Sequence, residues 1–140
     1  MTSDPIARIV DANINRCGEA LRVLEEYFRF VESDSAVSIE LKTLRHLLEG
    51  FEAEWGREVL LANRDTGSDC FADEVRSEEL GRQNLPDVLR ANARRAQESA
   101  RVLEEYSKVS TVPTGVDRAK KIRFAAYALE KKIWEKTNPV

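Results

Sequence analysis

ANINRCGEALRVLEEY, residues Ala12 to Tyr27, returns as ANARRAQESARVLEEY, residues Ala91 to Tyr106, seventy-nine positions later with ten of sixteen residues identical. A duplicated helix goes on packing if only its apolar stripe survives. Here the polar residues survive as well: Asn13, Arg16, Glu19, Arg22, Glu25 and Glu26 recur as Asn92, Arg95, Glu98, Arg101, Glu104 and Glu105. Both copies have kept their chemistry along with their core.

Working outward, Asp4 before Pro5 reads as an N-cap with proline at the first helical position, and a helical pattern then runs to about Val31. Ser33, Asp34 and Ser35 make a turn into a second helix, whose Leu41, Leu44, Leu48, Phe51 and Trp55 recur at spacings of three and four. The periodicity fails between about 62 and 84, although SEELGRQ can add a short helix there. Pro86 opens a third helix that ends near Val109, and STVPTG leads into a fourth from about Val116 to Lys136. That last helix echoes the second, with Lys42, Leu44, Arg45 and Glu52 matched by Lys120, Ile122, Arg123 and Glu130. The fold class is therefore all-α. We expect one domain over 1–140, built from a hairpin at about 5–57, a central loop at 62–84 and a second hairpin at 86–136, packed as a four-helix bundle with a pseudo-twofold axis.

Composition narrows the function. A chain of 140 residues with 34% charged and 7% aromatic residues, six Gly and four Pro is a helical body with room for one core. The net charge of -3 argues against general nucleic-acid binding, and no apolar run reaches the ~20 residues of a membrane span. The cytoplasm is the expected location. Cys17 and Cys70 lack the spacing of a zinc site or a disulfide framework.

Taking Ile9, Arg16, Ala20, Val23 and Tyr27 as the stripe of helix one places Asn13 and Glu19 at its edges. Duplication of Asn13, Arg16 and Glu19 as Asn92, Arg95 and Glu98 then points to a polar, inward-facing site, while Arg22, Glu25 and Glu26 read as surface pairs. Arg45 and Arg123 lie close to the stripes of helices two and four, where a buried arginine–glutamate bridge is the structural alternative to a ligand. His46 falls on the solvent side, which argues against a catalytic base. Phe51, Trp55 and Trp134 read as core rather than as a stacking platform. No phosphate loop, GxGxxG, HExxH or nucleophile elbow is present. What remains is arginine at 16, 45, 64, 95 and 123, with a loop of Arg64, Asp65 and Thr66 followed by Gly67 and Asp69. Arginine suits phosphate oxygens, and aspartate can hold Mg²⁺.

The patterns DANxNRxxEALRVLEEYxRF, LKxLRHxL, RDTxxD, ANxxRxQExxRVLEEY and KxxRFxxYxLE together resemble a family of small all-helical hydroxymethylpyrimidine phosphate kinases. That family also forms the N-terminal domain of some fused thiamine-phosphate synthases. The resemblance spans essentially the whole chain; Cys70, Phe71 and Ala100 depart from its pattern outside the polar set. It implies ATP-dependent phosphorylation of 4-amino-5-hydroxymethyl-2-methylpyrimidine phosphate to the diphosphate, with Mg²⁺ as cofactor and ATP as donor. With no room before Val140 for a synthase barrel, it also implies either a free-standing kinase or one domain of a longer enzyme, with a synthase domain as a partner and a homo-oligomer as an open alternative.

On that reading Arg16, Arg95 and Asp65 are the expected catalytic residues. Asn13, Asn92, Glu19, Glu98, Arg45, Arg123, Arg64 and Thr66 bind substrate, and Asp65 with Glu98 holds the metal. The two asparagines would face the aminopyrimidine edges of the two substrates in related half-sites. The arrangement requires guanidinium groups from both hairpins to converge in one cavity. A precursor-binding module without turnover, or a scaffold whose polar repeats are interhelical bridges, are the competing classes.

Overall fold

Asp4 caps the first helix by accepting from the backbone N–H groups of Ile6 and Ala7, and Pro5 occupies the first turn, where a missing donor is harmless. Residues 4–73, 81–110 and 115–138 are described by the computed structural model. They form α1 (Pro5–Phe30), α2 (Ser35–Trp55), α3 (Arg57–Asn63), α4 (Leu85–Ser107) and α5 (Gly115–Thr137). Asp34 caps α2 through Val37, and Asn84 caps α4 through Asp87. The all-α expectation holds among these residues. α1 packs on α2 and α4, α4 on α5, and α2 on α5, which closes a ring of four long helices.

α3 is the addition. Gly56 sits at φ +91, in the region that favours glycine, so α2 stops there and the chain re-enters a seven-residue helix that buries Leu60. Ala62 and Asn63 thus belong to a helix rather than to the loop expected from 62. Residues 74–80 lie outside the described residues, and with them most of the SEELGRQ segment; Gly81, Arg82 and Gln83 are not helical. Most of STVPTG likewise lies outside the described residues.

The core of α1 is a strict heptad: Ala7, Val10, Ile14, Cys17, Leu21, Leu24 and Phe28 are all buried. This corrects the expected stripe. Arg16 and Glu19 fall on the far side of the helix from it, and Val23 is 36% exposed. α4 repeats the heptad at Leu89, Ala93, Ala96, Ala100, Leu103 and Ser107, while α2 and α5 match at Val37/Gly115, Leu41/Ala119, Leu44/Ile122, Leu48/Ala126, Phe51/Leu129 and Trp55/Ile133. The second hairpin carries the smaller member at most of these positions. Large side chains of the first hairpin therefore have room beside small ones of the second, which lets the helices approach closely without voids. Cys17 shows this at the centre, its Sγ lying 4.0 Å from the carbonyl oxygen of its own counterpart, Ala96. Burial pushes the Cys17 thiol up to about 11, so it stays protonated and packs as a small apolar group.

Trp134 departs from expectation. Ile133 takes the core position, leaving Trp134 55% exposed.

Gly115 is where the size asymmetry is most sensitive, because a Cβ there would lie 2.5 Å from the Phe51 ring. Gly115→Ala is expected to lower unfolding free energy by about 1–3 kcal/mol in urea titrations; an unchanged midpoint would mean the two helices do not meet as described.

Candidate functional site

The duplicated polar residues divide by what they bond. Glu25 on α1 receives Arg45 of α2 in a two-point ion pair, Nε at 2.7 Å and Nη2 at 3.1 Å. Its counterpart Glu104 receives Arg123 of α5 through the same two nitrogens, the Nη2 contact being 3.1 Å. Both carboxylates are buried, and Glu104 raises the already high pKa of Arg123. Each hairpin is pinned by one such bridge. Glu25, read from sequence as a surface residue, is corrected to a buried one, because Arg45 on the facing helix draws it inward.

Arg22 pairs with Glu26 and Arg101 with Glu105 one turn apart on exposed surface, contacts worth roughly 0.2–0.5 kcal/mol each. Asn13 and Asn92 each donate through Nδ2 to the carbonyl four residues earlier, Ile9 at 2.9 Å and Val88 at 2.8 Å. That leaves Arg16, Glu19, Arg95 and Glu98. All four are exposed, and none of these side chains makes a hydrogen bond or ion pair among the described residues. Arg16 and Arg95 directly precede Cys17 and Ala96, the counterparts that touch where α1 crosses α4.

The loop after α3 is tied to α1. Arg64 forms a two-point ion pair with Asp11, both contacts at 2.7 Å, and Asp11 raises the arginine pKa. Arg8 donates to the Asp65 carbonyl at 2.8 Å, and the Asp65 carboxylate accepts from the Ser68 backbone at 3.1 Å. Hydrogen bonds from Ser68, helped by the charge of Arg8, hold the Asp65 carboxyl below its usual 3.8. Thr66 is exposed and closes the turn, its carbonyl accepting from Asp69. Asp11 escaped the sequence reading because the second copy carries Arg90 in its place, so the repeat gave no signal.

The expected convergence of five guanidinium groups does not occur. Arg45, Arg123 and Arg64 are each neutralised by a carboxylate, and Arg16 and Arg95 point outward. No three His, Cys, Asp or Glu side chains come together as a metal cage among the described residues, and exposed Asp65 and Glu98 are separate.

Two grooves sit instead at corresponding places, one per hairpin. Between α1 and α2 lies an opening of about 590 Å³ whose charged lining is Glu19, Glu26, Glu49 and Glu52 with Arg22 and Arg45. Gly18 forms its floor. Between α4 and α5 lies one of about 470 Å³ lined by Arg90, Arg94, Tyr127, Glu130, Lys131 and Trp134. Here Gln97 replaces Gly18 and donates through Nε2 to Glu130, the counterpart of Glu52, at 3.0 Å. One groove is acidic and the other is cationic and aromatic.

Residues 8–132 match the ThiD2 family. The chain is 40% identical over 125 residues to a thiamine-phosphate synthase of Synechocystis sp., covering 89% of this chain and 35% of that protein. It is 38% identical over 128 residues to that of Nostoc punctiforme (91% and 35%) and 41% identical over 108 residues to that of Rhodopirellula baltica (77% and 29%). The chain thus spans about a third of the length of these curated relatives. No solved structure matches it.

If the Glu104–Arg123 pair is architectural, Arg123→Met alone should cost about 3–5 kcal/mol by stranding a buried carboxylate, whereas Arg123→Met with Glu104→Leu should recover most of it. Chemical denaturation of the three proteins decides this; a single variant of parental stability would return Arg123 to the ligand-binding set.

Proposed function

The chain belongs to the ThiD2 family, and on that premise we propose that it is a phosphotransferase of thiamine biosynthesis. It converts 4-amino-5-hydroxymethyl-2-methylpyrimidine phosphate to the diphosphate with ATP, alone or as one domain of a thiamine-phosphate synthase. The observation that carries the reading is the pair Arg16 and Arg95. Their duplication preserved them, and no partner among the described residues accounts for them, unlike the bridged Arg45 and Arg123.

The chemistry agrees with the residues at hand. A kinase acting on an alcohol needs a base, but a phosphate monoester at neutral pH is already ionised and nucleophilic. His46, the single histidine, is exposed and contacts Glu49 at 3.2 Å, and the proposal gives it no part in the chemistry. The barrier is instead electrostatic, since two polyanions must meet, and unpaired guanidinium groups lower it by spreading donors over the equatorial oxygens of the transferred group. Arg16 and Arg95 take that part in this proposal. Mg²⁺ would neutralise donor phosphates; such ions need only one or two carboxylates when phosphates complete the shell, and Asp65 or Glu98 can supply one. Asn92, half-buried beside its backbone bond, serves a ring edge of a substrate, whereas Asn13 is buried and takes no such part.

A precursor-binding module remains the second reading, favoured by the relatives, whose synthase name covers a chain about two and a half times as long.

A coupled assay of ADP release from Mg·ATP and the pyrimidine monophosphate tests the proposal. Turnover is expected, falling tenfold or more in Arg16→Ala and in Arg95→Ala with unchanged unfolding midpoints, since neither side chain is bonded among the described residues. Binding without turnover supports the module; unaltered rates in both variants remove the two arginines from the site.

A further inference from the structure

The two grooves overlap in position, Asn15, Glu49 and Glu52 lining one and their counterparts Arg94, Tyr127 and Glu130 the other, so the differences between the hairpins record what the second was altered to hold. Arg90, Arg94, Tyr127, Lys131 and Trp134, which line the second groove, stand where the first hairpin has Asp11, Asn15, Glu49, Ala53 and Gly56. Every one of those changes adds positive charge or an aromatic ring, or removes a carboxylate. A solvated helix face gains nothing from exposing Trp134 and Tyr127 at 55% and 43%.

The walls are preset. Tyr127 accepts a hydrogen bond from Arg123 Nη1 at 3.0 Å, which ties its ring to the buried Arg123–Glu104 bridge, and Phe124 backs it edge-on at 5.7 Å between centroids. Arg90 is held by Asp87 at 2.9 Å, and Glu130 is occupied by Gln97. Arg94 and Lys131 form no ion pair among the described residues, so their charge is available. Rings for stacking, unpaired cations and a volume of about 470 Å³ describe a site for a small anionic aromatic molecule.

We propose that the α4–α5 groove binds a phosphorylated aromatic heterocycle, its ring against Trp134 and Tyr127 and its phosphate on Arg94 and Lys131. The inference deepens the kinase reading and rests on it for the identity of the ligand, because both substrates of that reaction have this chemistry. The acidic α1–α2 groove, with Gly18 as its floor, has no comparable free cations.

Isothermal titration calorimetry of the full chain with Mg·ADP, with the pyrimidine monophosphate and with pyrophosphate tests this, alongside tryptophan fluorescence of the parent and of Trp134→Phe, which leaves only the Trp55 signal. At least one ring ligand should bind and quench, more tightly than pyrophosphate, and which one does so identifies the source. Arg94→Ala with Lys131→Ala should weaken that binding at least tenfold, Trp134→Ala should remove the advantage over pyrophosphate, and Asn15→Ala, at the Arg94 counterpart, should leave both unchanged. Binding that these groove variants leave intact, or no binding of either ring ligand, overturns the proposal. Groove binding without ADP release would leave the site standing and retire the kinase reading, whereas turnover unaffected by the groove variants would do the reverse.

Discussion

The structure depends on two buried carboxylate–guanidinium pairs, Glu25 with Arg45 and Glu104 with Arg123, one across each hairpin. A buried carboxylate without a partner is costly, so each pair fixes which face of α2 meets α1 and which face of α5 meets α4. Leucine or alanine could fill the space but would not set the register as strictly. Once the pairs are made, the heptads of all four long helices point to one centre, and Arg16, Glu19, Arg95 and Glu98 are left on the surface.

That arrangement explains how a duplication can yield two different surfaces on one frame. The core diverged by volume, with Phe28 facing a frame whose counterpart is Ser107 and Leu48 matched by Ala126, and close packing between copies follows from large beside small. The grooves diverged by charge. Gly18 leaves the first open above Glu52, while Gln97 satisfies Glu130 in the second, where Arg94 and Lys131 have no ion-pair partner among the described residues. Tyr127 links the two levels, since the bridge that pins the hairpin also orients the ring that lines the groove.

Much of this was legible in the sequence, and what was missed has identifiable causes. Leu41, Leu44, Leu48, Phe51 and Trp55 announced α2 by spacing alone and are all buried. The bridges were foreseen as an alternative for Arg45 and Arg123, but their partners were not, because Glu25 looks like a surface residue until α2 is placed against it. The stripe of α1 was drawn through Arg16 since repetition lent that residue weight, although the heptad through Ile14, Cys17 and Leu21 was the better period. α3 is too short for periodicity to register. Trp134 sits one residue from the core position Ile133, a distinction that hydrophobicity cannot make and helix packing can. The grooves depend on pairs of residues on different helices, which no single segment reveals.

The most direct test of the account is the position of a bound phosphorylated ring. Chemical-shift mapping of the full chain, once with Mg²⁺ and a non-hydrolysable ATP analogue and once with the pyrimidine monophosphate, should for at least one of them place the largest changes along α4 and α5 at Arg94, Lys131 and the Trp134 indole, and leave Arg45 and its neighbours in α2 undisturbed. Changes centred on Glu19, Glu49 and Glu52 in the α1–α2 groove, with none at Trp134, would contradict it.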